Sequence, residues 1–80
     1  MRRYFFDLRD GDDLAVDEEG LELPNLLRAQ EEAVSSLAEF VRERVIEAVH
    51  DAQDMAIEVR DEDGPILKVM FLFAPDRVRQ

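Results

Sequence analysis

The chain has 80 residues and a mass of 9.3 kDa, which is enough for one small domain spanning residues 1–80. Hydrophobic residues make up 46% of the chain, which is more than a disordered chain contains. The formal net charge of -10 argues against a surface that binds along nucleic-acid phosphates. Cysteine is absent and no apolar run approaches the ~20 residues of a membrane span, so disulfides, thiolate chemistry and membrane insertion are excluded and a cytoplasmic location is expected.

The first predicted element is a hairpin. Residues 3–9 alternate in the manner of a strand, with aromatic and apolar side chains on one face. Residues 10–13 contain an Asp-Gly pair, which is a strong short-range hairpin signal. Residues 14–17 are predicted to return as a short second strand, which the segment 18–20 ends.

A long helix follows over residues 26–52, where neither Pro nor Gly interrupts a run of good helix formers. Asn25 is the predicted N-cap, because its side chain can accept hydrogen bonds from the first free amides. At 1.5 Å per residue this helix is ~40 Å long, whereas a seven-residue strand spans only ~24 Å. We therefore expect the helix to extend beyond the sheet that it covers.

The last predicted element is a second hairpin, with strands at residues 55–60 and 66–73. A four-residue loop would place Lys68 in the core opposite Ile57. A five-residue loop pairs Ile57 with Val69 instead, and keeps the Lys68 ammonium out of the core, where an unpaired charge is costly. We therefore predict the five-residue loop.

The element order β-β-α-β-β predicts an α+β fold. Because the helix returns the chain along the sheet, an all-antiparallel sheet requires the third strand beside the first. The prediction is a four-stranded sheet of order 2-1-3-4 with one long helix on one face. The predicted core under the helix consists of Tyr4, Phe6, Leu8, Leu14, Val16, Met55, Ile57, Val59, Leu67, Val69, Phe71 and Phe73.

Apolar side chains are left over outside this core. On the helix they fill an arc of about 200°, well beyond the ~100° stripe that a surface helix needs. Others fall on the outer face of the sheet. We therefore predict self-association, most simply as a two-fold homodimer. Two routes compete: antiparallel helix packing through Leu27, Val34, Val45 and Val49, or contact between sheet faces or edges through Ile66, Met70 and Leu72.

The helix route is slightly preferred, because Arg9, Arg60 and Lys68 interrupt the outer face of the sheet. The competing prediction is a monomer in which residues 74–80 fold back over the spare helix surface. Since the net charge of -10 opposes close approach, we expect a dimer to tighten when salt screens the repulsion.

No catalytic, cofactor or metal site is predicted. His50 is the only histidine, and we interpret it as a solvated side chain near the helix C-terminus. Ser35 and Ser36 are the only serines and lie in mid-helix without a nucleophile elbow. The acidic turns at residues 10–13 and 61–64 do not fit the calcium loop D-x-[DN]-x-[DN]-G-x5-E, and the predicted topology puts them at opposite ends of the sheet. The chain is therefore predicted not to be an enzyme.

Several short motifs occur together in this chain. They are the aromatic triplet at residues 4–6, Arg9-Asp10-Gly11, Asp17 with Glu19-Gly20, Leu23-Pro24, and Asp61-Glu62-Asp63-Gly64. In combination they resemble a family of small bacterial proteins classed only as a domain of unknown function. In the family pattern a polar residue, often His, follows the aromatic triplet, and this chain has Asp7 there. The resemblance, from residue 3 to about 73, implies a stand-alone domain and no activity, substrate or catalytic residue.

Two classes of function remain open. The favoured one is a small interaction or regulatory module that acts as a homodimer and binds an unknown protein partner, because the sequence has an excess of apolar side chains. The alternative is a nucleic-acid-related role. It would use direct binding on the sheet face beside Phe5, or acidic mimicry of nucleic acid toward a basic partner. Nucleic acid is the less expected partner because a basic excess is absent.

Overall fold

The computed structural model describes residues 1–47 and 55–71, and these form an antiparallel sheet with one helix on one face. The α+β class predicted from the sequence is confirmed. In chain order the elements are β1 Arg2–Asp10, β2 Asp13–Ala15, β3 Leu21–Leu23, α1 Leu26–Glu47, β4 Met55–Asp61 and β5 Gly64–Met70.

The strands run in the order β2-β1-β4-β5, and β3 also pairs with β1. The predicted third and fourth strands correspond to β4 and β5, so the main path of the sheet has the predicted order. The predicted count of four strands is wrong, because β3 is a fifth. It ends beside Pro24 and has only three residues, which is too short a strand for a two-residue period to be recognised.

One edge of β1 is shared by two short strands. β2 pairs with Leu8–Asp10, and β3 pairs with Arg2–Tyr4. No strand pairs with the middle of this edge among the described residues, and the loop between β2 and β3 lies beside it. The opposite edge of β1 pairs with β4 from Phe5 to Asp10.

The helix begins at the predicted cap. The Arg28 N–H donates to Asn25 Oδ1 at 2.9 Å. The described part of α1 ends at Glu47, and the predicted continuation to residue 52 lies outside the described residues. Within residues 1–47 and 55–71, no helix has the length and apolar content that crossing a membrane requires. The side of α1 that faces the sheet consists of Ala29, Ala33, Leu37 and Val41, spaced by one turn.

The core lies between α1 and the central strands. Most of the predicted core residues are buried or half-buried there, whereas Phe73 lies outside the described residues. Leu14 and Val16 were wrongly predicted to be in the core, because they are 42% and 55% exposed. Strand β2 ends at Ala15, so the chain leaves the sheet before a second inward-facing position can be used.

The second hairpin has the predicted register, with Val59 opposite Leu67 and Ile57 opposite Val69. The predicted five-residue loop is wrong. Pairing continues to Asp61 opposite Gly64 across a two-residue turn, and a β-bulge beside Val59 absorbs the extra residue. A five-residue loop and a two-residue turn with a bulge bury the same side chains. The register therefore follows from the sequence, whereas the type of turn does not.

Candidate functional site

The outer face of the sheet, opposite α1, carries ion pairs that cross three strands. Arg9 Nε on β1 lies 2.6 Å from Glu58 Oε2 on β4, and Lys68 Nζ on β5 lies 3.9 Å from the same oxygen. Arg60 Nε on β4 lies 2.8 Å from Asp7 Oδ2 on β1. Because the strand register sets basic and acidic side chains next to each other, much of the charge on this face is neutralised locally.

Asp7, Arg60 and Asp17 form a partly buried polar cluster at this face. The Asp7 side chain is almost fully buried and accepts from Arg60 Nε at 2.8 Å. Asp7 Oδ1 accepts from the Asp17 N–H at 2.9 Å, and Arg60 Nη2 donates to the Asp17 carbonyl oxygen at 2.9 Å. The hydrogen bond with Asp7 raises the pKa of Arg60. This trio therefore joins the loop after β2 to both central strands.

The Asp17 carboxylate occupies the middle of the β1 edge, where no described strand lies. Its Oδ2 accepts from the Phe6 N–H at 3.1 Å, in the place of a neighbouring strand's carbonyl. Its Oδ1 accepts from the N–H groups of Gly20 at 3.1 Å and Glu19 at 3.2 Å. Burial would raise the pKa of Asp17, but these three backbone hydrogen bonds and the Arg60 charge together hold that pKa below its ordinary value.

Phe5 lies on the outer face, beside Arg60 and the turn that the Asp17 carboxylate holds against β1. The guanidinium carbon of Arg60 is 4.4 Å from the centre of the Phe5 ring, which is a cation–π contact. Gly20 approaches the same ring, so that a Cβ on Gly20 would lie 2.9 Å from Phe5 Cε1. The ring is therefore covered by a guanidinium and by the turn that Asp17 holds.

The outer face offers little reactive chemistry. An open depression of about 350 Å³ lies over it beside Arg60, Pro65 and Lys68. The polar groups nearest to it, Asp7, Glu58 and Arg60, already bind each other or their neighbours. Among residues 1–47 and 55–71, no group of three His, Asp or Glu side chains is arranged to hold a metal ion.

A second surface lies where α1 meets β5. An apolar groove of about 340 Å³ opens there, and the residues at its rim include Val34, which is 50% exposed, and Met70, which is 68% exposed. Met70 borders the groove at the β5 edge, and its side chain shares the outer face with Lys68. Leu27, which is 63% exposed, lies two turns before Val34 on the same side of α1. The residues that line the groove are Val34, Leu37, Ala38, Val41, Val69, Met70 and Phe71.

The structure places residues from both predicted self-association routes at this groove. Val34 from the helix route and Met70 from the sheet route line it together. Ile66 is half-buried and packs against the core instead. The side chain of Val45 lies outside the described residues, as do Val49, Leu72 and the predicted surface residue His50.

Sequence reasoning missed the roles of Asp7, Asp17 and Arg60. The predicted sheet placed Asp7 and Arg60 on the same outer face, and the strand register makes them diagonal neighbours. Asp17 was interpreted as part of a solvated turn. The available signal was its spacing from Gly20, because Asp side chains often accept hydrogen bonds from the backbone of a following turn.

Comparison with known proteins gives one match. The family model described as Domain of unknown function (DUF6894) matches residues 3–72, which confirms the resemblance noted from the sequence. No curated protein and no solved structure matches the chain significantly.

Proposed function

This chain belongs to the DUF6894 family, a domain of unknown function, and on that premise we propose that it is a non-enzymatic protein-interaction module that binds through the α1–β5 groove. The observation that carries this proposal is the coincidence of two features at one place. An apolar groove with exposed Val34 and Met70 lies directly beside β5, the last strand on the path of the sheet. A protein partner can use both features, because it can bury side chains in the groove and add a strand to the edge.

The non-enzymatic part of the proposal is supported by the hydrogen bonds that the Asp7 and Asp17 carboxylates already accept. Asp7 and Asp17 have the burial of catalytic carboxylates, but their oxygens accept from Arg60 and from backbone N–H groups. These donors compete with any substrate proton for the carboxylate oxygens. These carboxylates stabilise the β1 edge instead.

Direct binding of nucleic acid on the sheet is the weaker candidate. The basic side chains of the outer face have carboxylate partners, such as Glu22 for Arg3 and Glu58 for Arg9. The Phe5 ring, which would have to stack with a base, is covered by Arg60 and Gly20. Single-strand binders combine open aromatic rings with unpaired basic groups.

The proposal is tested by comparing two variants of α1. Val34→Glu places a carboxylate at the groove, whereas Ser35→Glu places the same charge one residue on, about 100° away around the helix. Each chain is immobilised and exposed to a native lysate and to the purified chain itself. We expect a protein that binds the wild type and Ser35→Glu to bind Val34→Glu at least about tenfold more weakly, because an unpaired carboxylate cannot enter an apolar interface cheaply.

Equal binding to all three chains would contradict the proposal, since binding would then not depend on the groove. Circular dichroism of each variant provides the folding control. Val34 is half-exposed in the single chain, so we expect both variants to retain the helix signal and the melting temperature of the wild type to within a few degrees.

A further inference from the structure

We infer that the groove is occupied by a second copy of this chain, paired antiparallel along β5 about a two-fold axis at Val69. This inference rests on the proposed function and names the partner for it. It unites the helix and sheet routes, because Val34 and Met70 line the same groove.

The backbone of β5 presents a self-complementary edge. The Phe71 N–H donates to the Met55 carbonyl oxygen at 3.0 Å, so the backbone groups of Phe71 face β4. Because these groups alternate along an antiparallel strand, those of Val69 also face β4, whereas those of Lys68 and Met70 face away from it. Lys68 and Met70 therefore present outward-facing N–H and C=O groups to a new strand.

A two-fold axis at Val69 is compatible with the side chains on this edge. It pairs Lys68 with Met70 of the second copy and Met70 with Lys68 of the second copy, which allows four backbone hydrogen bonds about the axis. An axis at Lys68 would set two ammonium groups directly opposite each other, which is destabilising. The register at Val69 thus forms the hydrogen bonds without juxtaposing like charges.

The position of α1 fits this sheet. The helix contacts β4 more extensively than β5. Joining the two β5 edges separates β4 from its copy by three strand spacings, or about 14 Å. Two helices on the same face are then antiparallel at about that distance, which slightly exceeds a helix diameter of about 10–12 Å. Val34 and Ala38 from each groove line the space between the two helices.

Charges at the rim of the groove are complementary across the same axis. Glu31 and Arg42 are exposed and lie three helical turns apart on the outward side of the groove. Antiparallel helices centred near Leu37 bring Arg42 of each copy toward Glu31 of the other. Within one copy Glu31 lies 3.6 Å from Arg28, and its exposed carboxylate can accept from a second donor. Two symmetric attractive pairs thus oppose the repulsion that a net charge of -10 produces.

The inference is tested by the mass of the purified full chain in solution. Sedimentation velocity and light scattering from micromolar to millimolar concentration are expected to give twice 9.3 kDa. We expect Glu31→Arg and Arg42→Glu each to raise the dissociation constant at least about tenfold, since each places two like-charged pairs at the interface. The double variant Glu31→Arg/Arg42→Glu is expected to recover the wild-type dissociation constant.

Glu39→Arg is the matched control, because it makes the same charge change as Glu31→Arg at an exposed position that does not line the groove. It is expected to leave the dimer intact. A mass of 9.3 kDa at every concentration and salt level would overturn the inference. If groove-dependent binding of another protein persisted in that case, the proposed function would stand while the second copy was excluded. A dimer without rescue by the double variant would overturn the antiparallel arrangement.

Discussion

Replacement of Asp17 by Ala is expected to destabilise the fold by about 3 kcal/mol. Hydrogen bonds to charged groups contribute about 1.5–3 kcal/mol each, and the sum is lowered because one of the three bonds to Asp17 is exposed and the other two are only partly buried. The lost acceptor serves the N–H groups of Phe6, Glu19 and Gly20. For a domain of this size the melting temperature should fall by roughly 15 °C. Thermal and urea unfolding followed by circular dichroism measure both quantities.

Asp12→Ala is the control for this prediction, because Asp12 is exposed in the first hairpin turn. It should change the free energy of unfolding by no more than about 0.5 kcal/mol. A similar small effect for Asp17→Ala would contradict the role of Asp17 as a lock on the β1 edge.

The lowered pKa of Asp17 adds a pH dependence. A carboxyl whose pKa is lower in the folded than in the unfolded state stabilises the fold at pH values above its unfolded-state pKa. That contribution is lost as the pH falls through the folded-state pKa. The ordinary pKa of an Asp side chain is 3.8. We therefore expect Asp17→Asn, which cannot titrate, to lose less stability than the wild type when the pH is lowered through that range.

Gly20→Ala is expected to cost about 3 kcal/mol, since a left-handed backbone costs a non-glycine residue about 1–2 kcal/mol and overpacking adds about 1–3 kcal/mol. Gly20 has a φ of 74°, and an added Cβ would lie 2.9 Å from both Arg3 Cγ and Phe5 Cε1. The Phe5 ring cannot yield freely because Arg60 covers its face. Urea unfolding of the variant measures this cost.

Gly11→Ala separates the two contributions. Gly11 has a φ of 64°, but a Cβ there meets no atom within 4 Å. It should therefore cost only about 1–2 kcal/mol from the backbone conformation. Equal costs at Gly11 and Gly20 would mean that the approach of the turn to Phe5 contributes nothing to stability.

The burial pattern of the sequence predicted the central architecture, because only one arrangement of these strands and the helix buries the apolar side chains and leaves the charged ones exposed. Keeping Lys68 out of the core determines the register of β4 and β5. The length of the uninterrupted helical run predicted α1, and Asn25 marks its beginning. These features depend on side-chain period and burial, both of which can be evaluated from the sequence alone.

Features that depend on local backbone geometry could not be predicted in this way. The bulge beside Val59 preserves the inward-facing pattern, so burial cannot distinguish it from a longer loop. Asp17 replaces a strand by offering its carboxylate to the Phe6 N–H, and no periodicity marks such a position. The groove is lined by Val34 and Met70, which are far apart in sequence and come to the same groove only because β5 is next to the helix.

The most direct test of β5 as a pairing edge is amide hydrogen exchange measured by NMR at several protein concentrations. The N–H of Val69 faces β4 and should be protected at every concentration. The N–H groups of Lys68 and Met70 face away from β4, so their protection should rise with concentration as the dimer forms. Exchange at Lys68 and Met70 that is independent of concentration, while Val69 stays protected, would contradict pairing of two copies along β5.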